Sequence, residues 1–189
     1  MRTDARRRLR PAQRSAALLL AAVLVALAGC QASGTAPLPR PAAVDLPAYM
    51  GDWYLLGGIL PIAELDAHNA VETYRLEADG SIATTLRLRR GGFQGPLRVF
   101  HRTGFAEARS DNTVWTMRHS WLSRADYRIL RLDRDPGVVV VGEEAREYVW
   151  IMAREPQLAD DVWQGLLGFV AAAGYDPQRV RRVPQRWPE

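Results

Sequence analysis

Between residues 53 and 153 the chain repeats one pattern, a run of about six alternating apolar and polar residues closed by a turn signal. Trp53 to Ile59 is the first run, after the Gly51 turn. Asn69 to Leu76 and Ile82 to Leu88 flank Ala78-Asp79-Gly80, and Asp-Gly between two apolar runs is a strong hairpin signal. Gly91-Gly92 turns the chain into Leu97 to Phe105, with Leu97, Val99, His101 and Thr103 on one side. Val114 to His119 and Tyr127 to Leu132 follow, then the Asp135-Pro136-Gly137 turn, Val138 to Gly142 and Tyr148 to Ala153. Eight runs at hairpin spacing, with no helix between them, exclude alternating βαβ units. Closing eight antiparallel strands removes both sheet edges and leaves an interior wide enough for one small ligand. The fold expected is all-β, an eight-stranded antiparallel up-and-down barrel with one C-terminal α-helix packed outside it.

That helix is expected from about Ala159 to Ala173, where Val162, Leu166, Phe169 or Val170, and Ala173 recur every three or four residues. Asp160 and Asp161 suit the positive end of its dipole, and Gly174 stands where a left-handed cap is wanted. Alternation through Arg179–Val183 allows a short last strand with a solvated arginine edge.

The N-terminus is of another kind. Arg2, Arg6, Arg7, Arg8, Arg10 and Arg14 precede the uncharged run Ala16 to Ala28, the charged and apolar regions of an export signal, too short to span a bilayer. The run ends in Leu27-Ala28-Gly29-Cys30, which resembles a lipobox, where bacterial lipoproteins are cleaved and their cysteine acylated. Residues 1–29 then read as a lipoprotein signal peptide. The lipobox resemblance implies that Cys30 is the lipidation site, carrying acyl chains such as palmitate, of which more than one is needed for stable anchoring. Gln31 after the cysteine favours the outer membrane by resemblance to lipoprotein sorting. The proline-rich stretch up to Ala43 completes a lipidated tether over 30–43, and residues 44–189 form the barrel with its helix and last strand. The chain's formal charge of +4 gives a false hint of a nucleic-acid partner. Six Arg and one Asp fall in residues 1–29, so the remainder holds 19 basic and 20 acidic residues and needs no nucleic acid.

Several motifs carry a family resemblance. Gly51-Asp52-Trp53-Tyr54 matches the Gly-x-Trp-Tyr signature of lipocalins, and Tyr148-Val149-Trp150-Ile151-Met152-Ala153-Arg154 resembles their final-strand motif ending in Arg. Ala125-Asp126-Tyr127 is similar to the family's Thr-Asp-Tyr, with Ala in place of Thr. Val44-Asp45-Leu46, the helix with its Gly174-Tyr175-Asp176 exit and the lipobox resemble the bacterial outer-membrane lipoprotein lipocalins. The resemblance implies that Trp53 plugs the closed end of the barrel with Arg154 laid across its ring, so that Gly51, Trp53 and Arg154 determine the fold and do not touch ligand. It also implies a fatty acid or lysophospholipid ligand, with the membrane reached through acylated Cys30.

Period two supplies the pocket candidates: Trp115, Met117 and His119 on the fifth strand, Tyr127 and Ile129 on the sixth, and Tyr148, Trp150 and Met152 on the eighth. Aromatic and Met surfaces with a few polar tips, the Tyr127 hydroxyl, the Trp150 indole and His119, suit an acyl chain with a polar head. Arg98, Arg102 or Arg128, near the barrel mouth, are the candidates to meet a carboxylate or phosphate, and the sequence does not choose among them. A single cysteine excludes a disulfide scaffold, and His68, His101 and His119 lack metal-ligand spacing, so neither a metal nor another cofactor is expected. Two other classes remain open: a structural envelope lipoprotein with a filled core, and a lipocalin-fold enzyme using acid–base chemistry inside the barrel. Lipid binding without catalysis is the preferred reading. Oligomeric state is open, with a homodimer as one option.

Overall fold

The structure, a computed structural model, describes residues 36–118, 123–135 and 137–188; Cys30, the export segment and His119 lie outside the described residues. The strands are β1 (Gly51–Ile59), β2 (Ala67–Leu76), β3 (Ile82–Arg90), β4 (Leu97–Ala106), β5 (Val114–Arg118), β6 (Arg124–Asp133), β7 (Val138–Gly142), β8 (Val149–Ala153) and β9 (Arg181–Arg182). Helix α1 (Leu46–Tyr49) precedes β1, and α2 (Asp160–Ala172) separates β8 from β9. Strands β1 to β8 pair in sequence order, and β1 pairs antiparallel with both β2 and β8, so the sheet closes on itself as expected. The sixth strand begins three residues earlier than its alternation suggests, because Arg124 to Asp126 continue the ladder with Thr116 to Arg118.

Two apolar clusters lie on either side of the barrel wall. The inner one includes Trp53, Leu55, Tyr74, Ile82, Leu86, Trp115, Ile129 and Met152; the outer joins Leu56, Ile59, Leu130, Val149 and Ile151 to α2. Strand β7 shows why Val138 to Val141 are four valines: Val139 and Val141 face inward while Val138 and Val140 lie under the helix. Leu166, Val170 and Ala173 form the buried stripe as expected, and only its first member shifts by one residue, from Val162 to Trp163. Trp163 is buried with Leu166, Val170 and Ala173, whereas Val162 and Phe169 are half-buried. The larger aromatic wins the contact: the Trp163 ring packs where Gly57 has no side chain and lies 3.8 Å under the Arg182 guanidinium. Among the described residues both clusters lie within positions 38–183, inside the compact unit Pro37–Glu189.

The seam between β1 and β2 is zipped by backbone only from Gly51↔Tyr74 to Tyr54↔Val71. Beyond that point the C-terminal tail fills the gap. β9 pairs with Gly57 and Gly58, Val183 N–H donates to the Leu56 carbonyl, and Gln185 Nε2 donates to Leu55 and Ala70 carbonyls on the two parting strands. Asn69 completes the join, its Nδ2 donating to Arg186 O and its Oδ1 accepting from Arg186 N.

At the opposite end α1 lies across the barrel, and one cation holds it there. The Arg154 guanidinium donates to the carbonyls of Asp52 (2.7 Å), Ala48 (3.1 Å), Tyr49 (2.9 Å) and Met50 (2.8 Å), and sits 3.8 Å over the Trp53 ring. Trp53 Nε1 donates to Tyr49 O at 2.9 Å. Gly51 has φ +94°, which an L side chain resists, so Gly-x-Trp is a backbone requirement at this entry into β1. The expected pairing of Trp53 with Arg154 is therefore present, with four carbonyl contacts added to the stacking. Arg154→Ala is expected to lower unfolding free energy by about 2–4 kcal/mol in urea titrations of residues 37–189. Arg154→Lys should recover little of it, because an ammonium cannot serve several carbonyls while lying flat on an indole.

Candidate functional site

The closed half of the barrel is filled by aromatics. Tyr127 Oη lies 2.7 Å from both Tyr49 Oη and Tyr74 Oη, the Tyr127 ring stacks on Trp115 with centroids 4.9 Å apart, and Tyr49 meets Trp53 at 5.2 Å. Burial pushes the pKa of all three tyrosines well above the ordinary value, so the cluster is neutral. Above this floor, toward the open end, lies a cavity of about 220 Å³. Met117, Ala125, Tyr127, Tyr148, Trp150 and Met152 wall it, together with the polar side chains of Glu64, Glu72 and Arg102.

Five of the seven expected pocket residues, Met117, Tyr127, Tyr148, Trp150 and Met152, line the cavity. Trp115 and Ile129 do not. Both face inward but are fully buried below the floor, Trp115 between Tyr49, Tyr74 and Tyr127 with its Nε1 donating to Asn112 O at 2.7 Å. The polar tips are also committed: the Tyr127 hydroxyl to its two tyrosine partners and the Trp150 indole to Glu64. Of the three arginines considered for the mouth, only Arg102 lines the cavity. Arg128 is held by Asp126 (2.7 Å) and Glu144 (3.0 Å), and Arg98 is exposed. Asp126 of the Ala-Asp-Tyr motif also accepts the Glu144 amide at 2.9 Å, tying β6 to the β7–β8 loop, while Ala125 leaves room on the cavity side.

Sequence reasoning missed the two buried carboxyls of the cavity, Glu64 and Glu72. Glu64 sits in the 60–66 loop between β1 and β2, reaches into the mouth and is 1% exposed. Its Oε1 accepts from Arg102 Nη2 at 3.1 Å and its Oε2 from Trp150 Nε1 at 2.9 Å, so it bridges the facing strands β4 and β8. Glu72 projects from β2 between inward-facing Ala70 and Tyr74, an alternation that marks it as interior, and its Oε2 lies 3.6 Å from Arg102 Nη1. Burial raises the Glu72 pKa to about 7; Glu64 adds to the rise, and Arg102 and Thr84 oppose it. Among the described residues no group of three His, Cys, Asp or Glu side chains forms a metal site.

A family profile described as a lipocalin-like domain matches residues 44–185. The outer membrane lipoprotein Blc of Citrobacter freundii is 25% identical over 144 residues, 75% of this chain and 79% of that protein. The temperature-induced lipocalin-1 of Arabidopsis thaliana is 25% identical over 156 residues, 75% of this chain and 80% of its own length. Among solved structures, insecticyanin from the tobacco hornworm Manduca sexta superposes with TM-score 0.63 at 12% identity, covering 82% of this chain and 88% of that one. Lobster apocrustacyanin A1 gives 0.59 at 14% identity, covering 79% and 91%.

The raised Glu72 carboxyl ties stability to pH. From its ordinary value of 4.5 up to about 7, the folded state keeps a proton that the unfolded chain has lost, so stability falls as pH rises through this window and levels off above it. Unfolding free energy should drop by about 2–3 kcal/mol between pH 5 and pH 8 on this account, and Glu72→Gln should flatten that part of the profile.

Proposed function

The chain belongs to the lipocalin-like domain family, and from that premise we propose that it binds a fatty acid or lysophospholipid in its barrel, for storage or transport in the cell envelope. The observation that carries this reading is a cavity with an aromatic floor and Met117, Met152, Tyr148 and Trp150 around it, opening at the end opposite α1. Thioether and aromatic walls accept an acyl chain without a fixed shape, and the buried charged groups Arg102, Glu64 and Glu72 form one cluster among them, with Asp126 and Glu143 also on the lining. In this reading the barrel holds its ligand and does not transform it.

The envelope location is proposed on Cys30 and on the relatives named as outer membrane lipoproteins. Residues 1–29 are the export signal, acylated Cys30 becomes the anchor, and the tether to Ala43 keeps the barrel within roughly 43 Å of the membrane. The periplasm-facing side of the outer membrane is where such a lipoprotein would work.

Titrating delipidated residues 37–189 with a fluorescent fatty acid should give saturable binding of one probe per barrel in the micromolar range or tighter. Ala125→Trp, which fills the cavity from the β6 wall, should weaken that binding by about tenfold or more with only a modest loss of stability. Saturation without a cavity effect, or no binding at micromolar concentrations, would count against the proposal. Mass spectrometry of the protein from its native envelope should find an acylated N-terminal Cys30, and Cys30→Ser should abolish the adduct.

A further inference from the structure

The tip of the β1–β2 loop inverts the usual order of burial. Ile62 is 83% exposed, Leu65 is 51% exposed and Ala63 is exposed, while the charged residue among them, Glu64, is 1% exposed. A buried charge amid exposed apolar residues is the informative exception to burial rules. The tip gains almost no apolar burial from its closed position. Its own backbone bonds are internal to the turn, Glu64 N–H to Pro61 O at 2.8 Å and Ala67 N–H to Glu64 O at 3.1 Å. Inside the barrel, Glu64 is what the tip grips with.

The grip has the form of a carboxylate site. Each oxygen of Glu64 meets its own donor, Oε1 the Arg102 guanidinium and Oε2 the Trp150 indole N–H, from opposite walls of the barrel. A carboxylate brings two oxygens and a full negative charge to this pair of donors, where an ester carbonyl brings one oxygen and no charge. The cavity below, about 220 Å³, is smaller than the roughly 300–1,000 Å³ typical of small-molecule sites, so a long acyl chain needs the space that Glu64 and its loop occupy.

We propose that Glu64 is an internal stand-in for the ligand's head group, and that an amphiphile with a free carboxylate enters by taking its place between Arg102 and Trp150 while the 61–65 tip swings out. This rests on the lipid-cavity reading and narrows it to carboxylate-headed ligands. The exchange leaves Arg102 paired throughout, avoiding a stranded buried cation. Opening the tip gives up little apolar contact, since Ile62, Ala63 and Leu65 are already in solvent. Burial of the acyl chain against Met117, Met152 and the aromatic floor then drives the exchange.

The test uses cis-parinaric acid and its methyl ester, titrated by fluorescence into delipidated residues 37–189 near pH 8, where a free carboxyl is ionised. The native unit should prefer acid over ester by about tenfold. Glu64→Ala removes the competitor and should tighten the acid by a further factor of about ten while moving the ester less than about threefold; Glu64→Gln should act in the same direction more weakly. Trp150→Phe should reduce the preference for acid. In the native unit, saturation with the acid should speed hydrogen exchange at the Glu64 and Ala67 amides, a readout independent of any variant. An unchanged acid affinity in Glu64→Ala, equal shifts for acid and ester, or loop exchange unaffected at saturation would overturn the stand-in role while leaving lipid binding intact. Absence of binding of either probe by any of the proteins would overturn the lipid-cavity reading and this proposal together.

Discussion

One guanidinium sets the height of everything inside this barrel. Arg154 follows the end of β8, crosses the base and gathers carbonyls from α1 and from the start of β1 while lying on Trp53. With α1 fixed, Tyr49 points up into the barrel and completes the hydroxyl chain with Tyr127 and Tyr74. That neutral aromatic plug closes the lower half, and the cavity of the site lies in the half beneath the β1–β2 and β7–β8 loops. The floor of the site is thus a consequence of a contact at the far end of the molecule.

The upper half follows different physics. Glu64, Glu72 and Arg102 put two acids and one base into an interior where charges are expensive to desolvate. The raised Glu72 pKa registers that cost, and a packed apolar triad of similar volume would hold the strands together at least as well. Stability therefore does not account for these residues. They make sense as the polar end of a binding site, held next to methionine and aromatic surface that has no polar demands of its own.

Much of this was legible in the sequence, and each error has a physical origin. Alternation shows which face a residue occupies, so Met117, Trp150 and Met152 were placed inside by the same rule that placed Trp115 and Ile129 there. It carries no information about depth, which depends on the stagger of the strands and on which end is plugged. Trp115 and Ile129 lie below the plug and the others above it. Glu72 was readable by alternation, between Ala70 and Tyr74, but a single acid in an apolar run invites being read as solvent-facing. Glu64 left no periodic signal at all, because its position is set by a turn and by two donors distant in sequence. The first member of the helical stripe erred by one residue because Val162 and Trp163 fit the same stripe, and the pocket left by Gly57 favours the larger ring.

A barrel can adapt to a ligand only where its wall is weakly committed. The base is locked by Arg154, β7 is packed on both faces, and the β1–β2 seam is stitched by Val183, Gln185 and Asn69. Each of these would lose packing or leave a buried polar group unpaired if it moved. The 61–65 tip gives up little apolar burial and only backbone bonds local to its own turn, and its buried commitment is a carboxylate that another carboxylate can replace. Flexibility at that tip costs little because the rigid remainder of the wall already holds Arg102 and Trp150 in register to receive what comes next.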